Sequence, residues 1–245
     1  SMGPAEYGLF AGGLSLATVL AILASLGQQT AILRYWPEDT SRGDMARARA
    51  ALGAGGALTV SAGLAIGGAL VLVALAGWGL GLGPMGHLAA AAALILPMAL
   101  AEYWSSALRA QGSVWIALTP RDVLWRLVTP LAVLALAIAG LALSGWAALL
   151  LTAGLLVLAL ALQAALARTH DMSLAVDFRA IPAYWRERGD AGRWFLLGTL
   201  IDSAALNLDI VFVGLLLGPV EAGLYFNAFR TAGLLTLFMY AITLV

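Results

Sequence analysis

Seven stretches of this chain, roughly residues 8–33, 47–77, 87–109, 114–143, 146–167, 192–216 and 220–245, are each long and apolar enough to cross a lipid bilayer. A helix needs about 20 mostly apolar residues for that. The stretches are rich in Ala, Leu and Gly and lack the two-residue alternation of barrel strands, so they read as helices. Pro97 and Pro130 fall inside spans, where neighbouring helices can absorb a kink. Hydrophobic residues make up 62% of the 245 and charged ones 11%, against roughly 25% charged in a soluble domain. Lipid must cover the outside of such a chain. The expected fold is all-α: a polytopic membrane bundle of about seven transmembrane helices.

The connections order the spans. All thirteen basic residues are arginine, balanced by thirteen acids. Arg34, Arg42, Arg47 and Arg49 follow the first span; Arg109, Arg121 and Arg126 surround the junction of the third and fourth; Arg168, Arg179, Arg186, Arg188 and Arg193 lie between the fifth and sixth. The intervening connections carry none. This alternation puts the arginine-bearing loops in the cytoplasm and the N-terminal segment outside. The balanced charge leaves no basic surface for nucleic acid. There are no cysteines, and His87 and His170 have no second ligand at metal spacing, so no metal site or cofactor is expected. No GxSxG, HExxH or P-loop motif occurs, and the reading is that the chain is not an enzyme.

The one long connection holds Phe178, Ile181 and Trp185 at helical spacing beside Arg179, Arg186 and Arg188. Residues 174–190 therefore read as an amphipathic helix on the cytoplasmic membrane surface, serving either as an anchor or as a sensor of lipid headgroups. Trp36, Trp78, Trp146, Trp185 and Trp194 fall near span ends, as an aromatic belt requires. Ionisable groups inside spans are costly and mark functional sites by default. Here they are Glu102, Asp202, Asp209 and Arg230. Asp202 and Asp209, seven residues apart, share a helix face. Arg230 is the only arginine outside the cytoplasmic set, and its depth is comparable with that of Asp209 across a tight turn, which makes a salt bridge plausible. Glu102 is within reach of Arg121 or Arg126 on the next span. Gln28 and Gln29 either line a cleft or join helices.

The segment Gly3-Pro4-Ala5-Glu6-Tyr7-Gly8-Leu9-Phe10 recurs as Gly218-Pro219-Val220-Glu221-Ala222-Gly223-Leu224-Tyr225, with five identities in eight. Proline pre-sets the first helical turn and glutamate suits the positive end of the helix dipole, so convergence could produce such a pair. Shared ancestry accounts better for the whole match. The copies are six spans apart and so point the same way, which makes the repeat parallel. A 6+6 transporter of two lobes follows, with residues 1–191 as an N-terminal lobe short of its first helix and 192–245 as the first two helices of the second lobe.

With Leu26-Gly27, Leu33-Arg34-Tyr35-Trp36, Asp209-Ile210-Val211-Phe212-Val213-Gly214 and Ala228-Phe229-Arg230, these motifs resemble the polysaccharide (O-antigen repeat-unit) flippase family. That family shares a superfamily with the multidrug and toxic compound extrusion transporters and the lipid II flippases. The resemblance covers about the second to eighth helices of the family pattern. It implies alternating access in the bacterial inner membrane, with an undecaprenyl-pyrophosphate-linked oligosaccharide as cargo, membrane lipids as partners, and a proton or sodium ion as the coupling ion. It also implies Arg230, Asp209, Asp202 and Gln28 as substrate-site residues, Arg230 meeting the pyrophosphate and the two aspartates available for ion coupling. A multidrug or metabolite antiporter of the same fold stays open, as does a membrane enzyme of polysaccharide assembly. The very short external connections count against the latter.

Overall fold

The computed structural model describes the backbone at residues 2–81 and 85–243, and the side chains of these residues except 191, 202–206 and 233–243. The described chain is helical throughout, with no strand. Helix α1 (Pro4–Ser25) leads into α2 (Gln28–Ser41), then α3 (Met45–Gly79), α4 (Gly86–Ala110) and α5 (Val114–Leu118). A π-helical segment, Thr119–Trp125, joins α5 to α6 (Arg126–Ile138). Helix α7 (Gly145–Thr169), a short 3-10 turn, α8 (Ile181–Leu216) and α9 (Pro219–Thr243) complete the order. Among the described residues four stretches, Pro4–Ser41, Met45–Gly79, Gly86–Ala110 and Gly145–Thr169, are long and apolar enough to cross a membrane. The other three expected spans are helical as well, one of them broken by the π segment.

Two of these departures have clear causes. The first span bends where Leu26 and Gly27 both take positive φ, 49° and 72°, ending α1 and restarting the chain as α2 in a new direction. Glycine tolerates that conformation and leucine pays for it. In the fourth span Pro120 has no N–H to offer the Ile116 carbonyl, its partner in an α-helix. The buried Gln163 of α7 replaces it: Nε2 donates to the Ile116 oxygen at 3.3 Å and to that of Ala117 at 2.8 Å. Ser105 of α4 adds a second donor to Ala117 at 2.9 Å. Backbone freed by a break inside a span must be satisfied by neighbours, since lipid offers nothing.

The core is built from small residues. Ala17, Ala21 and Ala24 of α1 meet Ala90, Ala91, Leu94 and Ile95 of α4, with Leu149 and Leu156 of α7 alongside. Helices in lipid gain little from apolar burial against each other and associate through close packing, which alanine and glycine permit. At Gly55 a Cβ would lie 2.6 Å from the Tyr103 hydroxyl, so only glycine lets Tyr103 reach across and donate to the Leu52 carbonyl at 2.6 Å. Outward faces carry Leu72, Leu80, Ile138, Leu158, Leu215 and Leu216, all exposed within the chain and fit for lipid. Trp78, Trp146 and Trp194 are also exposed, as a belt requires, but Trp36 is not: it is buried with Ile32, Leu52, Tyr103 and Ala107. Because α2 continues to Ser41, Trp36 sits mid-helix and its ring enters the packing.

The arginine-bearing connections gather at one end. Gln111 and Ser173 exchange hydrogen bonds of 2.9 and 2.8 Å, the Asp177 N–H donates to the Gly53 carbonyl at 2.9 Å, and Arg47 pairs with Glu187. At the other end the Glu6 carboxylate accepts from the Gly145 N–H at 2.5 Å, placing the acid on the first turn of α7 as well as its own. The amphipathic segment is not a separate surface helix. Residues 181–190 form the first turns of the 36-residue α8, packed against α2 and α3. No proline interrupts the passage into the span.

Candidate functional site

Two groups of polar residues are candidates for a functional site, one at each end of α8. At the end that holds the N-termini of α1 and α9, the two copies of the repeated motif lie against each other. A Cβ on Gly8 would fall 1.5 Å from the Pro219 carbonyl oxygen, and one on Gly223 would fall 3.0 Å from the Tyr7 ring and 3.3 Å from the Gly8 backbone. These glycines occupy equivalent positions in the two copies. The Tyr7 hydroxyl donates to Asn227 Oδ1 at 2.6 Å, and its ring meets Phe226 edge-on at 6.3 Å. Ala11, Ile210 and Phe226 fill the space beneath.

Asp209 and Arg230 belong to this group, and they do not pair. The Tyr225 hydroxyl donates to Asp209 Oδ2 at 2.7 Å, and the Ile210 N–H donates to Oδ1 at 2.8 Å. The Arg230 guanidinium lies 4.9 Å from the centre of the Phe226 ring, a cation–π contact, and makes no salt bridge among the described residues. Tyr225 and Arg230 are five residues apart, which turns them about 140° from each other around α9. Matching depth across the hairpin therefore placed Tyr225, not Arg230, opposite Asp209. Arg230 is exposed and within electrostatic reach of Arg126 and Tyr7. Arg126 itself pairs with Asp122 at 3.1 Å. Asp202 lies on α8 with its side chain outside the described residues. Glu102 pairs with Arg121, one of the two partners expected for it.

The second group surrounds Asp39 and was missed in the sequence. Asp39 is fully buried near the end of α2. Arg188 Nη2 donates to both of its carboxylate oxygens, at 2.8 and 2.9 Å, and the Arg188 guanidinium rests 4.3 Å from the centre of the Tyr35 ring. Arg47 Nε stands 3.7 Å from Asp39, and Arg47 also pairs with Glu187. One turn from Arg188, the Tyr184 hydroxyl donates to Gln28 Oε1 at 2.7 Å. Burial, with Tyr35 close by, holds the Tyr184 hydroxyl above its ordinary range, so it stays protonated and keeps that bond. Gln28 is itself buried and gives its amide to the Leu26 carbonyl at 3.2 Å. It thus joins α2 to the first turns of α8. Arg188 Nη1 is buried without a hydrogen-bond partner.

The signal for this group was present but weak. Gln28, Ile32, Tyr35 and Asp39 form a stripe along α2, and Tyr184 and Arg188 are four apart on α8. With α2 taken as a loop after residue 33, the stripe had no helix to lie on.

No metal-binding group of three or more His, Cys, Asp or Glu side chains occurs among the described residues. No curated protein and no solved structure matches the chain. A protein family does, and the match extends over residues 1–245 under the description polysaccharide biosynthesis protein. With an all-α bundle, apolar spans and a match covering its whole length, this multi-pass membrane protein belongs to the polysaccharide biosynthesis family, the polysaccharide flippases that its motifs resemble.

Proposed function

We propose that the protein is a flippase of the bacterial inner membrane, carrying an undecaprenyl-pyrophosphate-linked oligosaccharide between leaflets by alternating access. The family places it in polysaccharide biosynthesis, and transport suits a bundle of long apolar helices. The observation that carries the reading is Arg230. It is exposed, it has no acid partner among the described residues, and it lies within reach of a second cation, Arg126, from a helix of the first six spans. An arginine inside a span costs about 2.5–3.5 kcal/mol on insertion scales. A residue kept at that cost with no counter-charge among the described residues suits an anionic cargo, and its planar fork of donors matches a pyrophosphate.

Asp209 fits ion coupling better than charge neutralisation. Its described partners are a phenol and a backbone N–H, both neutral donors, and no cation pairs with it among the described residues. Sodium or a proton could occupy it during the cycle, and Asp202, two turns earlier, is the second acid of that helix face.

The test is polysaccharide export by the full-length protein. Arg230→Ala should abolish export with abundance nearly unchanged, and Arg230→Lys should recover only part of it. The double variant Arg230→Ala with Asp209→Ala should stay inactive, because the two residues are not each other's partners. Full export by Arg230→Ala would sink the reading.

A further inference from the structure

We propose that a groove between the first turns of α3 and α8 holds the headgroup of an anionic phospholipid, with the start of one acyl chain along its floor. The groove has a volume of about 270 Å3 and is lined by Arg47, Ala50, Ala51, Ala183, Glu187 and Arg188, among others. Its lining sets two guanidinium groups and one carboxylate beside alanines from both helices.

Arg188 is the second, independent observation. It is 9% exposed, its Nη2 is taken by Asp39, and its Nη1 is buried with no partner. A buried donor left unsatisfied on a charged group is costly, and each such group in a folded protein calls for an explanation. Arg188 lines the groove, and a phosphate oxygen there would supply the missing acceptor once the guanidinium turns toward it. Arg47, whose side chain is 42% exposed, is the mobile companion: its present partner Glu187 is half exposed and can release it to a stronger anion. Arginine is suited to this exchange because it can bind a phosphate with two parallel donors.

Position selects a lipid over a soluble phosphate. Arg47 and Ala50 open the helix that runs on into the apolar span of α3, so the groove lies where headgroups meet hydrocarbon. Exposed Phe178 stands just before α8, and Arg179 and Arg186 add cations to the same segment. Arginines beside a membrane surface are attracted to anionic headgroups. Size excludes the whole cargo: pockets for complete drug-sized ligands begin at about 300 Å3. This site is separate from Arg230 and does not depend on what the protein transports.

Native mass spectrometry of the purified full-length protein tests the proposal, with phosphatidylglycerol, phosphatidylcholine and inorganic phosphate as probes. Arg188→Gln would be the obvious variant, but it also removes the partner of Asp39. Ala183→Leu and Ala50→Leu instead fill the groove from exposed positions, and Arg47→Gln removes the more accessible donor. Phosphatidylglycerol should remain bound at least tenfold more tightly than phosphatidylcholine, and each of the three variants should reduce that preference at least threefold. Equal retention of the two lipids would overturn headgroup recognition. An unchanged preference in all three variants would overturn the location. Displacement of phosphatidylglycerol by inorganic phosphate at equal concentration would show a free-anion site and overturn the choice of a lipid.

Discussion

Arg188 and Asp39 lie 149 residues apart in sequence and share two hydrogen bonds in a buried setting. Breaking a buried ion pair by removing one partner typically costs about 3–5 kcal/mol, because the other charge is left uncompensated. Replacing both by apolar groups of similar volume is often neutral. Asp39→Ala should therefore lower the thermal midpoint of the detergent-solubilised protein steeply, while Asp39→Leu combined with Arg188→Met should recover most of the loss. A midpoint unchanged in Asp39→Ala would mean that water reaches the pair. Gln163 offers a neutral counterpart. Its amide satisfies two carbonyls exposed by the proline break, so Gln163→Leu should cost about 1–3 kcal/mol by the same assay. At this scale the sequence was legible only where the partner was near. Glu102 and Arg121 face each other across one hairpin, and their pairing could be foreseen. The Asp39–Arg188 pair joins two separate connections between spans, and composition alone could not say that both residues leave water.

At the scale of elements, apolar length is a local property, which is why the seven helical stretches could be placed from sequence to within a few residues at most ends. The breaks were harder. Pro120 announces a missing donor, but whether the helix kinks, ends or widens into a π turn depends on Gln163 being opposite. Leu26-Gly27 looked like part of one span because both flanks are apolar. The clearest element-level consequence lies in the two glycines of the repeat. A valine at Gly8 would place Cβ 1.5 Å from the Pro219 carbonyl, and backbone on both sides leaves no cheap adjustment. Helices α1 and α9 must then separate. Because the chain has no cysteine, Tyr7→Cys with Asn227→Cys gives a clean reporter. A bifunctional thiol reagent should bridge the pair readily, and adding Gly8→Val should reduce the yield several-fold. Unchanged cross-linking would show that the two helices are not held by this crossing.

For the molecule as a whole, the arginine pattern carried the most information. The first turns of α3, the loop at residues 111–113 and the chain from 173 to 187 meet at one end in the structure through hydrogen bonds and ion pairs that no composition rule imposes. The expected outcome of topology mapping in cells follows. A cysteine at position 145 should react with an impermeant reagent from outside, and one at position 42 should not. Reaction at 42 would reverse the orientation and move the lipid groove to the outer leaflet. The two-lobe arrangement is inferred from the repeat in the sequence, whose two copies start helices at the same end.

Helix α8 spans 36 residues without a break, which makes it a rod about 54 Å long. Its first turns are fastened to α2 by Arg188 and Tyr184, and Asp209, near its far end, is hydrogen-bonded to α9. A rod of this kind behaves as a lever. It cannot absorb a tilt locally, so a force that shifts the fastening at one end is delivered to the crossing of α1 and α9 at the other. An occupant of the arginine-bearing end would then act on the crossing of α1 and α9 through the rod itself.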